Sequence, residues 1–339
     1  MPPLPSSRGA SSAFVLDALR REPHPLALFA PPPVADPLAD DDLQLALYLC
    51  YELHYRGFDG VDAAWEWEPS LLALRRELEA VFEQALEAAV PPADPGELPA
   101  PAEMDVALRA IAEADEGPSL SRHLEREGTR EQFLEFCVHR SAYQLKEADP
   151  HSWALPRLGG PPKAALVEIQ ADEYGGGKAD RIHAQLFAGT LRALGLDDAY
   201  GAYLDLIPGV TLATVNLMSL AGLHRRRRGA IVGHLALFEM TSSVPNRRYA
   251  NALRRLGLGE EATAFFDEHV IADAVHENIA AVDLAGGLVR QQPELCADVL
   301  WGARALVELE ARWAAHLLDA WAAGRTSLRA PLQAVAPVA

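Results

Sequence analysis

The sequence is poor in cysteine, has no long apolar run, and carries too few basic residues to balance its acids. Its three cysteines, Cys50, Cys137 and Cys296, lie far apart and form no CxxC pair. That spacing excludes a disulfide framework and a zinc knuckle, and fits ordinary buried thiols in a reducing cytoplasm. No run of about 20 apolar residues marks a transmembrane helix, and MPPLPSSRGASSAF lacks the apolar stretch of a signal peptide. With 48 Asp and Glu against 30 Lys and Arg, the net charge is −18. A chain so acidic is not expected to bind nucleic acid or an anionic membrane. Also missing are an internal repeat, a βαβ alternation and a glycine-rich nucleotide fingerprint.

What is present favours helix. Half of the 339 residues are hydrophobic, aromatics are only 7%, and Ala/Leu-rich tracts recur. Such tracts favour helix over strand and supply a sizeable core, so the fold class is all-α. Residues 1–39, with PPLP, EPHP and APPPVADP, read as an irregular arm, because proline removes amide donors and restricts its neighbours. Residues 40–127 read as an N-terminal helical lobe. It opens on DDDLQLALYLC, with acids at a positive helix end, continues through a helix near 70–90, and is interrupted by PPADPGELPAPA. Glu52 and His54 diverge on a helix and read as packing or surface groups. Residues 128–328 form the third segment. There, helices are expected around 131–149, 163–194, 211–223, 229–241, 250–258, 260–285 and 293–324. Gly175-Gly176-Gly177 would cost about 1 kcal/mol each in a helix interior. They are either a loop or a bend beside a reactive centre.

The chemistry gathers on few residues. His269, Asp273 and His276 are spaced i, i+4, i+7, so their directions spread by only about 60° around a helix. Two imidazoles and a carboxylate on one face suit a divalent first-row ion, although a polar surface stripe beside Glu268 and Glu277 has the same spacing. Glu173 and His183 would diverge by about 80° on an ideal helix, within reach of one centre. Glu239 follows the apolar run Leu235 to Phe238, where a carboxylate is costly to bury unpaired. A cation relieves that cost, and an arginine would do so equally. Glu147, near a helix end in QLKEADP, suits a ligand or a surface cap. Glu147, Glu173, Glu239 and Asp273 would balance a pair of divalent ions, while His183, His269 and His276 add neutral nitrogens. Mixed carboxylate and imidazole ligands on several helices suit iron or manganese better than structural zinc.

Taken in order, LKEADP, EIQADEYGGGKADRIHAQLF, LHRRRRGAIVGHLALFEMTSS and FFDEHVIADAVHE resemble the haem-oxygenase-like diiron oxidases and oxygenases, the iron-containing redox enzymes. The resemblance covers about residues 130–325. It implies a haem-oxygenase-like multihelical bundle, here with an N-terminal helical extension, holding two Fe ions that cycle between Fe2+ and Fe3+ rather than haem. Its ligands would be Glu173, His183, Glu239, His269, Asp273 and His276, with Glu147 resembling an additional carboxylate of the N-oxygenating branch. The implied reaction is oxygen-dependent oxidation of a small molecule, with dioxygen as co-substrate and an external electron donor for turnover. Tyr174, beside a proposed ligand, could hydrogen-bond to the centre or donate an electron. Arg225, in the run Arg225 to Arg228, could clamp an amino-acid-like or fatty-acid-like carboxylate. A cytoplasmic protein is expected, and a homodimer is compatible with it. A non-redox dinuclear hydrolase and a helical interaction module are the competing readings.

Overall fold

In a computed structural model, residues 1–91, 93, 96 and 98–332 are described, with the side chains of residues 273–275 outside that description. Among the described residues there is no strand. The chain is an all-α bundle, as its composition leads one to expect. Its first helix, α1 (Ala10–Leu19), interrupts the irregular arm expected for residues 1–39, and the stretches on either side of it hold no helix or strand. The prolines flank this stretch rather than interrupt it. Val15, Leu16 and Leu19 are buried, and Asp42 accepts hydrogen bonds from the Ser11 and Ser12 amides, both at 2.8 Å. Carboxylate capping from a neighbouring helix thus satisfies donors that α1 cannot satisfy itself.

Helix α2 (Asp41–Glu52) starts where Asp40 accepts from the Asp42 and Leu43 amides at 3.0 and 2.7 Å. It is followed by α3 (Pro69–Ala89), α4 (Met104–Glu113) and α5 (Leu120–Arg126). Thr129 and Gln132 form a capping box that opens α6 (Arg130–Gln144). The short α7 (Asp149–Ser152) leads to α8 (Gly160–Glu173) and α9 (His183–Leu194), and α9 stops at Gly195, φ 79°. Next come α10 (Gly209–Leu223), α11 (Arg228–Arg255) and α12 (Glu260–Asn278). A π-helical turn at Ile279–Ala285 joins α12 to α13 (Gly286–Gln291), and α14 (Cys296–Ala322) completes the bundle.

Helix α11 is the central post, packed on α12 and α14; α12 also packs on α9, and α10 on α2. Two expectations change here. The break expected at SSVPN is absent, because α11 runs through Pro245 as one 28-residue helix. Proline leaves the Thr241 carbonyl without its usual amide donor, and Thr241, Ser242, Pro245 and Asn246 all line a cavity at that point. Conversely, helix does not continue from Glu173 to His183. Gly175, Gly176 and Gly177 take φ values of 68°, 59° and 80°, the left-handed region that suits glycine, and form a loop between α8 and α9.

Candidate metal centre

Four helices and one turn bring six of the expected ligands into the interior. Glu173 closes α8, His183 opens α9, Glu239 lies mid-way along α11, and His269 and His276 share a face of α12. Glu147 comes from the turn between α6 and α7. Exposures run from 0% for His276 to 6% for Glu173, so the cluster is buried rather than a surface stripe. Glu173 and His183 meet because the glycine loop reverses the chain, not because one helix aims both. Asp273 lies on α12, and its side chain is outside the described residues.

The side chains form two groups that share a member. Glu147, Glu173, His183 and His269 each offer a ligand atom within 4.8 Å of the others, as do Glu173, Glu239 and His276. Among the pairs, His183 Nδ1 lies 2.9 Å from Glu173 Oε2, His276 Nδ1 3.3 Å from Glu239 Oε2, and His269 Nε2 3.5 Å from Glu147 Oε1. Glu147 Oε2, Glu173 Oε2, His183 Nδ1 and His276 Nδ1 are buried without a well-aligned hydrogen bond. Buried polar atoms are normally satisfied, so four such atoms across the two adjoining groups need further partners. A void of about 10 Å³, lined by Glu147, Glu173, Glu239 and His269 among others, leaves room for little more than an ion or one water.

Hydrogen bonding on the outer side fixes the imidazoles. The Phe265 carbonyl, 2.8 Å from His269 Nδ1, can only accept, so that nitrogen carries hydrogen and the Nε2 lone pair faces Glu147. Asp172 Oδ2 likewise lies 3.0 Å from His276 Nε2, turning Nδ1 toward Glu239. A lone pair facing a carboxylate needs a proton or a metal cation between them. Without metal a proton fills the gap. Burial lowers the His276 pKa, but Glu239 and Asp172 outweigh it and lift it to about 9. The same contest raises His183, against burial, through Glu173. Glu173 itself falls below the usual carboxylate range, because His183 and the other imidazoles outweigh the cost of burial. Burial dominates at Glu147, raising it, with His269 opposing.

An iron-containing redox enzyme family model matches residues 134–311, slightly more than half the chain and all the residues of the cluster. The chain belongs to the iron-containing redox enzyme family. A nitrosourea synthase of Streptomyces achromogenes subsp. streptozoticus is 30% identical over 146 residues, which is 43% of this chain. The chain thus spans 31% of the length of that relative. The family description is that of iron-containing redox enzymes, and the donor set of the buried Glu/His cluster suits iron.

Two expected participants stand apart. Tyr174 donates to Asp149 Oδ1 at 2.9 Å and contacts Ser152 Oγ at 2.9 Å, so its hydroxyl braces the turn that carries Glu147. Arg225 is exposed and lines neither cavity that reaches the cluster. Its neighbours pair elsewhere: Arg226 and Arg227 with Glu83, and Arg227 with Asp298. The basic run is therefore mainly a clamp on α3 and α14.

Sequence reasoning missed Asp172, although QADEY places an acid beside Glu173. It also missed a cavity of about 300 Å³ that reaches Glu147 and His269. Phe136, Phe187, Phe238 and Phe266 supply much of its wall, and Arg140 and Glu310 form a bidentate pair at 2.9 and 2.6 Å. No motif announces a cavity assembled from α6, α9, α11, α12 and α14.

Proposed function

We propose that the chain is a non-haem diiron oxidase or oxygenase acting on a small, amino-acid-like molecule held in the cavity beside Glu147 and His269. The observation that carries this reading is the sharing of Glu173 between two buried ligand groups. Glu173 would serve both groups, which would hold the ions through Glu147, His183 and His269 on one side and Glu239 and His276 on the other. Asp273, by its i+4 spacing from His269, is proposed to join them. When bound, a ferrous pair supplies the electrons that reduce dioxygen; manganese would fit the same donors. An external donor is needed for repeated turnover.

The protein's own residues would orient substrate and exclude water. The phenylalanine walls keep the cavity side of the centre dry, which protects a reactive oxidant from quenching. The charged anchor expected of Arg225 passes to Arg140, the arginine that lines the cavity. Arg140 already pairs with Glu310. A fatty-acid carboxylate taking Arg140 would leave Glu310 without its cation. An amino acid brings a carboxylate for Arg140 and an ammonium for Glu310, so both charges stay paired. Amino-acid-like substrates are therefore favoured over fatty acids.

The experiment is rapid mixing of the anaerobically iron-loaded protein with oxygenated buffer, followed by optical and Mössbauer spectroscopy. An oxygen-dependent transient is expected, which an amino-acid substrate shortens and a zinc-loaded sample lacks. Oxygen-independent turnover of the zinc form would replace this reading with the hydrolase.

A further inference from the structure

The most deeply buried ion pair near the centre belongs to neither ligand group. Lys146 Nζ donates to Glu52 Oε2 at 2.9 Å, and their side chains are 1% and 0% exposed. Tyr200 donates to the same oxygen at 2.7 Å. The ammonium also lies 4.8 and 4.3 Å from the ring centroids of Tyr48 and Tyr55. One residue further, Arg56 of the same N-terminal segment donates to the Leu145 carbonyl at 3.1 Å. Glu52, far from being a surface group, thus grips the residue that precedes Glu147.

The backbone beyond Glu147 is equally constrained. Ala148 has φ 72°, the one described non-glycine residue with positive φ. A side-chain-bearing residue persists there only where its surroundings enforce the conformation. Its carbonyl accepts from Gln170 Nε2 of α8 at 2.9 Å, and Tyr174 bonds to Asp149. The turn over residues 145–149 is therefore held by α2 and its following turn on one side and by the helix bearing Glu173 on the other.

We infer that Glu52 and Lys146 are positioning residues that fix the Glu147 carboxylate in the metal centre. The inference rests on the reading of Glu147 as a ligand. A lysine and a glutamate fully removed from water are costly even when paired, and an apolar pair of similar size would pack there more cheaply. What the ion pair adds is direction. An ammonium with a fixed carboxylate, phenol and two aromatic faces has one place to sit, and the residue after it inherits that register. Glu52, Tyr48 and Tyr55 all precede residue 134, where the family match begins. The N-terminal segment would thus be a working part of the centre.

The test uses full-length protein in anaerobic ferrous titrations read by Mössbauer spectroscopy, with hydrogen exchange on the metal-free form. The variants are Lys146→Met, the double variant Glu52→Gln with Lys146→Met, and Glu147→Ala as reference. Lys146→Met alone strands a buried carboxylate and is expected to lose thermal stability. The double variant removes both charges and should regain it. Even so, its iron affinity at the Glu147 group should stay about 10-fold or more below wild type, approaching Glu147→Ala. The ion at Glu239 and His276 should keep its affinity, and amides 145–149 should exchange faster. A double variant with wild-type affinity, quadrupole splitting and exchange overturns the positioning role while the metal reading stands. An unsubstituted protein that binds no iron removes the metal reading and this inference together.

Discussion

At the residue scale, the centre is defined as much by what stands behind each imidazole as by the imidazoles themselves. The spacing of His269 and His276 was readable on α12 because a helix projects i and i+7 to one side. The acceptors behind them were not, since the Phe265 carbonyl and the Asp172 carboxylate become partners only after folding. Asp172 is half exposed or more, with 61% of its side chain accessible, so its removal should leave the core intact. Asp172→Ala is expected to weaken iron binding by about 10- to 100-fold while the folded structure persists, and Asp172→Asn, which keeps an acceptor oxygen, should weaken it less. Equilibrium ferrous binding beside circular dichroism checks this; equal affinity in all three proteins would contradict it.

Two further buried histidines set the acid limit. His151 Nε2 lies 3.2 Å from His234 Nδ1. Burial pushes His151 down to about 4, with Glu173 opposing, and pushes His234 down as well. An unfolded histidine titrates near 6.5, so the unfolded state takes up the proton first as pH falls. Stability from a neutral His151 is therefore complete above about pH 6.5 and is lost on the way to pH 4, by roughly 3 kcal/mol. Urea unfolding of the metal-free protein between pH 7 and 4 should show this loss, and His151→Gln should flatten it. Superimposable acid profiles would argue against the assignment.

At the element scale, helix identity was largely legible and helix proximity was not. Three- and four-residue apolar spacing marked α3, and the acidic start of α2 matched the capping seen. The SSVPN motif misled, because tertiary packing carries α11 through Pro245 despite the missing donor. Nothing in the sequence showed how closely α11 and α14 cross. A Cβ at Gly233 would lie 1.8 Å from the Val299 carbonyl oxygen, and one at Gly302 would lie 2.0 Å from that of Ala230. These reciprocal glycines let the two backbones touch, and α11 carries Glu239 six positions further on. Gly233→Ala should cost about 1–3 kcal/mol or more, since neither backbone can yield locally. Differential scanning calorimetry should register a melting point several degrees lower. An unchanged melting point would mean that the helices can separate at little cost. Directly after α12, the π-helical turn at Ile279–Ala285 adds a residue to the winding next to His276. Such turns gather near functional sites.

At the scale of the whole molecule, the excess acid and the buried Glu/His cluster are separate features. The net charge of −18 counts every acid in the sequence, and among them Glu147, Glu173 and Glu239 are interior, placed against three imidazoles. Composition alone could not separate these populations; motif order could, because four segments each contributed a residue of the buried cluster. The N-terminal segment escaped that logic. Its helices bear no recognisable chemical motif, yet α2 reaches the turn of Glu147 through the buried Glu52 and the Tyr48 ring. No helix among the described residues is long and apolar enough to cross a membrane.

On the proposed function, the two buried groups would hold two ions and share the Glu173 carboxylate. Anaerobic equilibrium titration with ferrous ion, counted by Mössbauer spectroscopy, tests it most directly. About two irons per chain are expected in the native protein, with loss of paired binding in Glu173→Ala. A single iron in the native chain, or two retained undisturbed in Glu173→Ala, would contradict it.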